Sequence, residues 1–196
     1  MEAAPRLPMI SFDLKVSTKI TQFSPQLKQY IAAFYNEDPD TYTTEIRSLE
    51  LLRSSAVRPT VDVTGVQTLK KYYCQLHFLK SRENNSCNDI RMELMVIMFN
   101  IGALHSYLGA NESRSNPDGM RLACTHFQCA AWAFQCVKEK YHQFVDYIAP
   151  IEFVHFYQQV CLAQAQECIL EKSMLDNRKA TIVGKSLLKL IKILYF

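Results

Sequence analysis

The sequence predicts a mainly α-helical fold: a helical array or solenoid with TPR-like helix packing and a short β element near the N-terminus. Three observations predict it. Apolar residues recur at helical spacing from Ser24 to Ile169. Glycine is scarce, at 5 of 196 residues, which suits helices better than a sandwich or barrel. The connections are short and carry Pro, Asn and Asp, and such local wiring favours helices stacked in chain order.

Taken in order, Met9 to Val16 alternates through Ile10, Phe12, Leu14 and Val16, the pattern of one short strand. Ser24-Pro25 reads as an N-cap with a first-turn proline, opening a helix that carries Leu27, Tyr30, Ile31 and Phe34. Glu37-Asp38-Pro39 ends it. A second helix follows with Tyr42, Ile46, Leu49 and Leu52 on one face, closed by Arg58-Pro59. Either Asp62 or Thr64 caps the third, which carries Val66, Leu69, Tyr72, Tyr73, Leu76, Phe78 and Leu79. The polar run Ser81 to Asn88 is a loop.

Asp89 to Ala110 organises the chain. Ile90, Leu94, Ile97, Ile101, Leu104 and Leu108 form a helical stripe, and the other faces are apolar too, with Met95, Val96, Met98, Phe99 and Ala103. A helix apolar nearly all round is buried on several sides. Its length would reach across a bilayer, but Arg91, Glu93, Asn100 and His105 argue for the centre of a soluble array. Gly102 and Ala103 let a second backbone approach closely.

After a loop from Asn111, Pro117 starts a helix with Leu122, Ala123, Phe127, Ala130, Ala131 and Phe134. Asn100-Ile101-Gly102 facing Ala123, Phe127 and Ala130 is the TPR-like unit. Tyr141 to Pro150 is a connection. Val154, Tyr157, Cys161, Ala165, Cys168 and Ile169 line a long helix from Ile151, with a break at Ser173 to Asp176 and a last helix from Arg178 to Phe196.

Charge and motifs narrow the function. A formal net charge of +3 is too weak to imply nucleic acid. Seven cysteines without framework spacing read as reduced thiols, with Cys129/Cys136 and Cys161/Cys168 as small core residues. No signal peptide is legible at the N-terminus. No phosphate-binding loop, dinucleotide fingerprint, HExxH, GxSxG, CxxC or phosphatase loop occurs. His126 near Cys124 and Cys129 is the nearest approach to a metal cluster and reads as helix packing instead. His105 reads as a satisfied core histidine. The chain is therefore expected to be no enzyme and to need no cofactor and no metal.

After Asp176 no acidic residue occurs, while Lys185, Lys189 and Lys192 share a face opposite Leu187, Leu190, Ile191 and Leu194. A solvated lysine face is the plain reading. An anionic membrane surface or an acidic partner helix are the functional ones.

Three blocks carry a resemblance: ELMVIMFNIGALHSYLGA, GMRLACTHFQCAAWAF and LAQAQECILEKSMLDNRK. In this order and spacing, with LELLRSSAVRP and LKKYYCQLHFLKSR upstream, the chain resembles the Bro domain (Bro-one domain) family. That is the helical module of Alix and of the His-domain protein tyrosine phosphatase, whose branch it resembles most. The resemblance implies a partial Bro domain over residues 1–183 and a divergent basic amphipathic tail over 184–196. It departs from the family in four ways. Ser81 to Asn88 is too short for the family hairpin, and Trp132 stands where a glycine is usual. The family domain is nearly twice this length, and Ser186 to Phe196 leaves the family pattern.

What the resemblance implies is a protein-interaction module of endosomal sorting, cytoplasmic and recruited to endosomes for multivesicular-body transport. Its partner would be the amphipathic C-terminal helix of an ESCRT-III subunit, with other sorting adaptors as further partners. The implied groove residues are Arg121, Ile169, Ile182 and Ser186, where Ser186 replaces a large aliphatic and Pro117 an acid. Ile169 and Ile182 lie about 220° apart on one straight helix, so they share a groove only if the chain folds back between them. The competing reading is a non-binding helical fragment whose tail associates peripherally with membranes.

Overall fold

The computed structural model describes residues 8–82 and 88–194, and they form seven α-helices. These are α1 (Ser24–Tyr35), α2 (Thr43–Ala56), α3 (Val63–Arg82), α4 (Asn88–Asn111), α5 (Pro117–Lys140), α6 (Ile151–Leu175) and α7 (Ala180–Leu194). Single 3-10 turns occupy Pro39–Tyr42 and Val145–Tyr147. Each helix packs mainly on its neighbours in sequence, and α4, α5 and α6 share the most extensive interfaces. Most of the expected 81–88 loop lies outside the described residues.

The expected N-terminal strand is absent among the described residues. The alternation is real over its middle, since Phe12 and Leu14 are half-buried against the core while Asp13 and Lys15 face solvent. What is missing is a second strand. Side-chain groups on the helices take its place: the Gln164 amide bonds both the N–H and the carbonyl of Ile10. Ser106 Oγ accepts from Phe12 N at 3.0 Å. Asn100 accepts from Lys15 N at 2.8 Å and donates to Lys15 O at 2.8 Å. Backbone groups pressed onto a core need partners, and here amides on α4 and α6 supply them. Ile10 and Val16, also expected to point inward, are exposed.

The entry to α1 also differs from the reading as a serine cap. Ser24 is already helical, and its side chain makes no capping bond. Glu50 of α2 does the capping instead, accepting from Phe23 N at 2.7 Å and Ser24 N at 3.0 Å. Local sequence shows a cap residue but not a carboxylate delivered from a later helix. At α3 the cap is Asp62, whose Oδ1 accepts from Gly65 N at 2.8 Å. At α5 it is Asn116, bonded to Gly119 N, with Pro117 in the first turn.

Helix α4 is the centre, as its composition dictates. Leu94, Met95, Ile97, Met98, Phe99, Ile101, Ala103 and Leu104 are all buried. Two of its polar residues are matched inside the protein. Glu93 accepts from Arg53 Nε at 2.8 Å and from the Tyr72 hydroxyl, and Asn100 holds the N-terminal segment. A Cβ on Gly102 would come within 3.0 Å of the Phe134 ring, and one on Gly109 within 3.1 Å of the Phe127 ring. Two glycines seven apart on α4 thus seat two phenylalanines seven apart on antiparallel α5.

The six described cysteines are free, and Cys136, Cys161 and Cys168 are buried. Burial pushes the Cys161 and Cys168 thiols up to about 12. They are therefore packed as small apolar side chains and are poor nucleophiles.

Candidate functional site

The turn between α6 and α7 determines whether the predicted groove residues meet. Helix α6 runs on to Leu175, later than the expected break, and Asp176 and Asn177 form the turn, with Asn177 at φ 49. Asparagine tolerates this left-handed conformation. α7 then folds back on α6 as an antiparallel neighbour.

One side-chain contact fixes their register. Gln166 Nε2 of α6 donates to Ser186 Oγ and to Ser186 O, each at 3.2 Å. Ser186 is 9% exposed and is the buried residue of α7. Ile169 lies one turn beyond Gln166 on α6, and Ile182 lies one turn before Ser186 on α7. In an antiparallel pair these steps lead the same way along the axis and, at about 100° per residue, to the same flank. Ile169 is 39% exposed and Ile182 42% exposed. The fold-back therefore does what a single helix could not.

The other two predicted residues are placed differently. Ser186 sits at the α6–α7 seam as the partner of Gln166, with its hydroxyl occupied. Arg121 lies near the start of α5, exposed and ion-paired to Asp118 at 3.3 Å. The shallow pocket beside it is lined by residues of the 112–125 stretch, among them Glu112 and Asp118, and by none from α6 or α7. By this register Ile169 and Ile182 fall on one flank of the α6–α7 pair, while Arg121 lies apart, in the company of its own acids.

Sequence reasoning did not assign the cations that flank the isoleucines. Lys185 and Lys189 follow Ile182 at the i+3 and i+7 positions, so they share its face. Both are exposed, and no carboxylate bonds them among the described residues. The signal was present in the tail's helical spacing, but only the seam at Ser186 shows which flank of α7 the lysines join. The opposite flank carries Leu187, Ile191 and Leu194, exposed and without a cation between them.

Sequence spacing also missed a pair of histidines. His105 of α4 and His126 of α5 meet at Nδ1–Nδ1 2.9 Å, and His105 Nε2 is buried without a partner. The expectation of a satisfied core histidine is thus half met. Burial, with Lys70 and His126 nearby, holds His105 at about 4, and burial lowers His126 as well. No third metal-ligating residue joins them, since no group of three or more such side chains exists among the described residues.

The comparisons with known proteins agree with this architecture. The model of the BRO1-like domain matches residues 9–88 and 80–192. Human tyrosine-protein phosphatase non-receptor type 23 is 40% identical over 94% of this chain, which spans 12% of that protein. Human rhophilin-1 is 33% identical over 84% of the chain and 28% of its own length. The vacuolar protein-sorting protein bro1 of Emericella nidulans is 33% identical over 91% of the chain and 20% of its own length. Among solved structures, the ALIX BRO1–CHMP4C complex superposes with a TM-score of 0.80 at 22% identity, covering 95% of this chain and 62% of that one. ALIX in complex with the SIVmac239 PYKEVTEDL late domain gives 0.81 at 24% identity, over 94% of this chain and 32% of that one. The chain thus spans only part of each of these relatives. An all-helical array centred on α4, and a family match running through nearly its whole length, place this chain in the BRO1-like domain family.

Proposed function

We propose that the chain is a non-enzymatic interaction module of the endosomal sorting pathway, and that it receives an amphipathic helix of an ESCRT-III subunit across Ile169 and Ile182. The observation that carries this reading is the Gln166–Ser186 contact, whose register puts two part-exposed isoleucines on one flank of the α6–α7 pair. A helix laid across such a pair gains its energy from apolar anchors, and flanking charges orient it. Lys185 and Lys189 provide those charges on the isoleucine flank, whereas Arg121 lies apart on α5, paired with Asp118. The likeness to the ALIX BRO1–CHMP4C complex supports the partner class. Recruitment to endosomes follows from the same partner.

The test is a titration of an ESCRT-III C-terminal helix peptide against the purified chain. Because Ser186 is buried at the α6–α7 seam, the apolar anchors offered to the peptide are Ile169 and Ile182. Ile182→Asp places a charge in the apolar contact and is expected to abolish binding. Unchanged affinity in a folded Ile182→Asp chain would overturn the reading.

A second reading rests on the other flank of α7, where Leu187, Ile191 and Leu194 are exposed on a helix whose opposite face carries Lys185 and Lys189. Such a helix can lie on an anionic membrane. Vesicle binding that survives replacement of both Ile169 and Ile182, with no peptide binding in the native chain, would favour it.

A further inference from the structure

The opposite end of the array holds a second polar site. The C-terminal part of α3, the first turn of α4 and the C-terminal end of α5 with its following turn enclose a cavity of about 250 Å³. Its lining includes Lys80, Arg91, Lys140 and His142, and no carboxylate among the described residues. Tyr141 also lines it, but its hydroxyl is already shared with Tyr73 at 2.8 Å.

Two of the cations have an ordinary explanation. Lys80 and Lys140 stand in the last turns of α3 and α5, where the helix dipole favours positive charge. Arg91 does not. It stands in the first turn of α4, where the dipole disfavours a cation, and its Nε is buried without a hydrogen-bond partner. A buried, unsatisfied guanidinium edge costs free energy unless something accepts from it. No described residue does so, and two further cations converge on the same cavity.

We infer that this cavity is an anion site for a phosphate ester, with Arg91 as the donor edge and Lys80 and Lys140 as flanking charges. A single carboxylate would leave two of the three cations unmatched, whereas a phosphoryl dianion leaves only one. A guanidinium edge matches phosphate oxygens geometrically, and a lysine serves as a point charge. The space is ample, since each water takes about 30 Å³ and the cavity holds roughly eight. The phosphate ester can be carried by a soluble inositol phosphate or by a lipid headgroup, and the chemistry at Arg91 is common to both.

The experiment is calorimetric titration of the chain with inositol trisphosphate at constant ionic strength, alongside flotation with phosphatidylcholine vesicles with and without phosphatidylinositol bisphosphate. Saturable binding lost by tenfold or more in Arg91→Met, and weakened severalfold in Lys140→Ala, is expected. Lys140 is exposed, so its variant reports on the site even if Arg91→Met folds poorly. Binding of the soluble phosphate identifies a free ligand, and Arg91-dependent binding only to the charged vesicles identifies a lipid. No saturable binding in either arm, or binding indifferent to both substitutions, overturns the inference. Because the site is remote from Ile169 and Ile182, its failure leaves the groove reading untouched.

Discussion

The α4–α5 pair and the α6–α7 pair are both antiparallel, both rich in apolar side chains, and used for opposite purposes. Between α4 and α5, Gly102 and Gly109 receive the rings of Phe134 and Phe127, and Phe134 also packs edge-on against Phe12 and Phe99. Helix α7 has Ile182, Leu187, Leu188, Leu190, Ile191, Ile193 and Leu194, yet its buried residue is a serine. Apolar content therefore does not decide burial. The number of neighbours does: α4 has α3, α5 and the N-terminal segment around it, whereas α7 has α6 on one side. The first pair is where stability resides, and the second is where apolar surface is left exposed.

The largest effect should come from breaking the tight pair. Phe134→Ala empties the seat at Gly102 and three ring contacts, and is expected to cost about 3–5 kcal/mol in denaturant unfolding. The corresponding change on α7, Leu188→Ala, should stay within about 0.5 kcal/mol because Leu188 is 59% exposed. Equal losses at the two sites would erase the contrast.

Acid should attack the same pair through its histidines. Burial, together with the charges of Lys70 and His126, holds His105 at about 4, whereas the unfolded chain takes up that proton near 6.5. The unfolded state therefore binds more protons across this window, and stability is lost as pH falls through it, by about 3 kcal/mol at most. Replacing His105 with Asn should flatten that limb of the stability–pH curve. Parallel curves for the two proteins would show that the histidine pair is not the cause.

A smaller effect should follow at the N-terminal segment. Asn100→Ala removes both partners of Lys15 and is expected to cost about 1–3 kcal/mol. Hydrogen exchange should then speed up at the amide of Lys15 and leave α6 unchanged. If the amide is no faster, the side-chain bond does not hold the segment.

The smallest change in stability should accompany the clearest change in association. Leu187→Lys and Ile191→Lys alter the exposed flank of α7 and should shift unfolding by no more than about 0.5 kcal/mol. An exposed apolar patch promotes association, so light scattering should show less self-association in these variants than in the native chain. A native chain that stays monomeric at high concentration would mean that this flank is too small to act.

Much of the fold was legible because helices announce themselves locally. The stripe from Ile90 to Leu108, Pro117 after Asn116 and the Asp62 cap each depend on residues within a few positions, and each is found as the spacing indicates. The strand reading of residues 9–16 failed for the converse reason. Alternation reports a pleated segment with one face inward, but whether it is a strand depends on what lies alongside, and here that is Asn100, Ser106 and Gln164 from distant helices. The glutamate cap from Glu50 onto α1 was hidden by the same distance.

For the candidate site the division is similar. The sequence by itself indicated a break between Ile169 and Ile182, at Ser173 to Asp176, and the 100° step shows that without one they would lie on different faces. It also placed the lysines on one face of α7. Only the tertiary structure decided which flank that face joins, through the Gln166–Ser186 contact, and that Arg121 is paired with Asp118. It alone brought Arg91 beside Lys80 and Lys140, and His105 beside His126. The physical reason is range: helical periodicity is written in backbone hydrogen bonds four residues long, while a site is assembled by contacts between helices whose register no local pattern encodes.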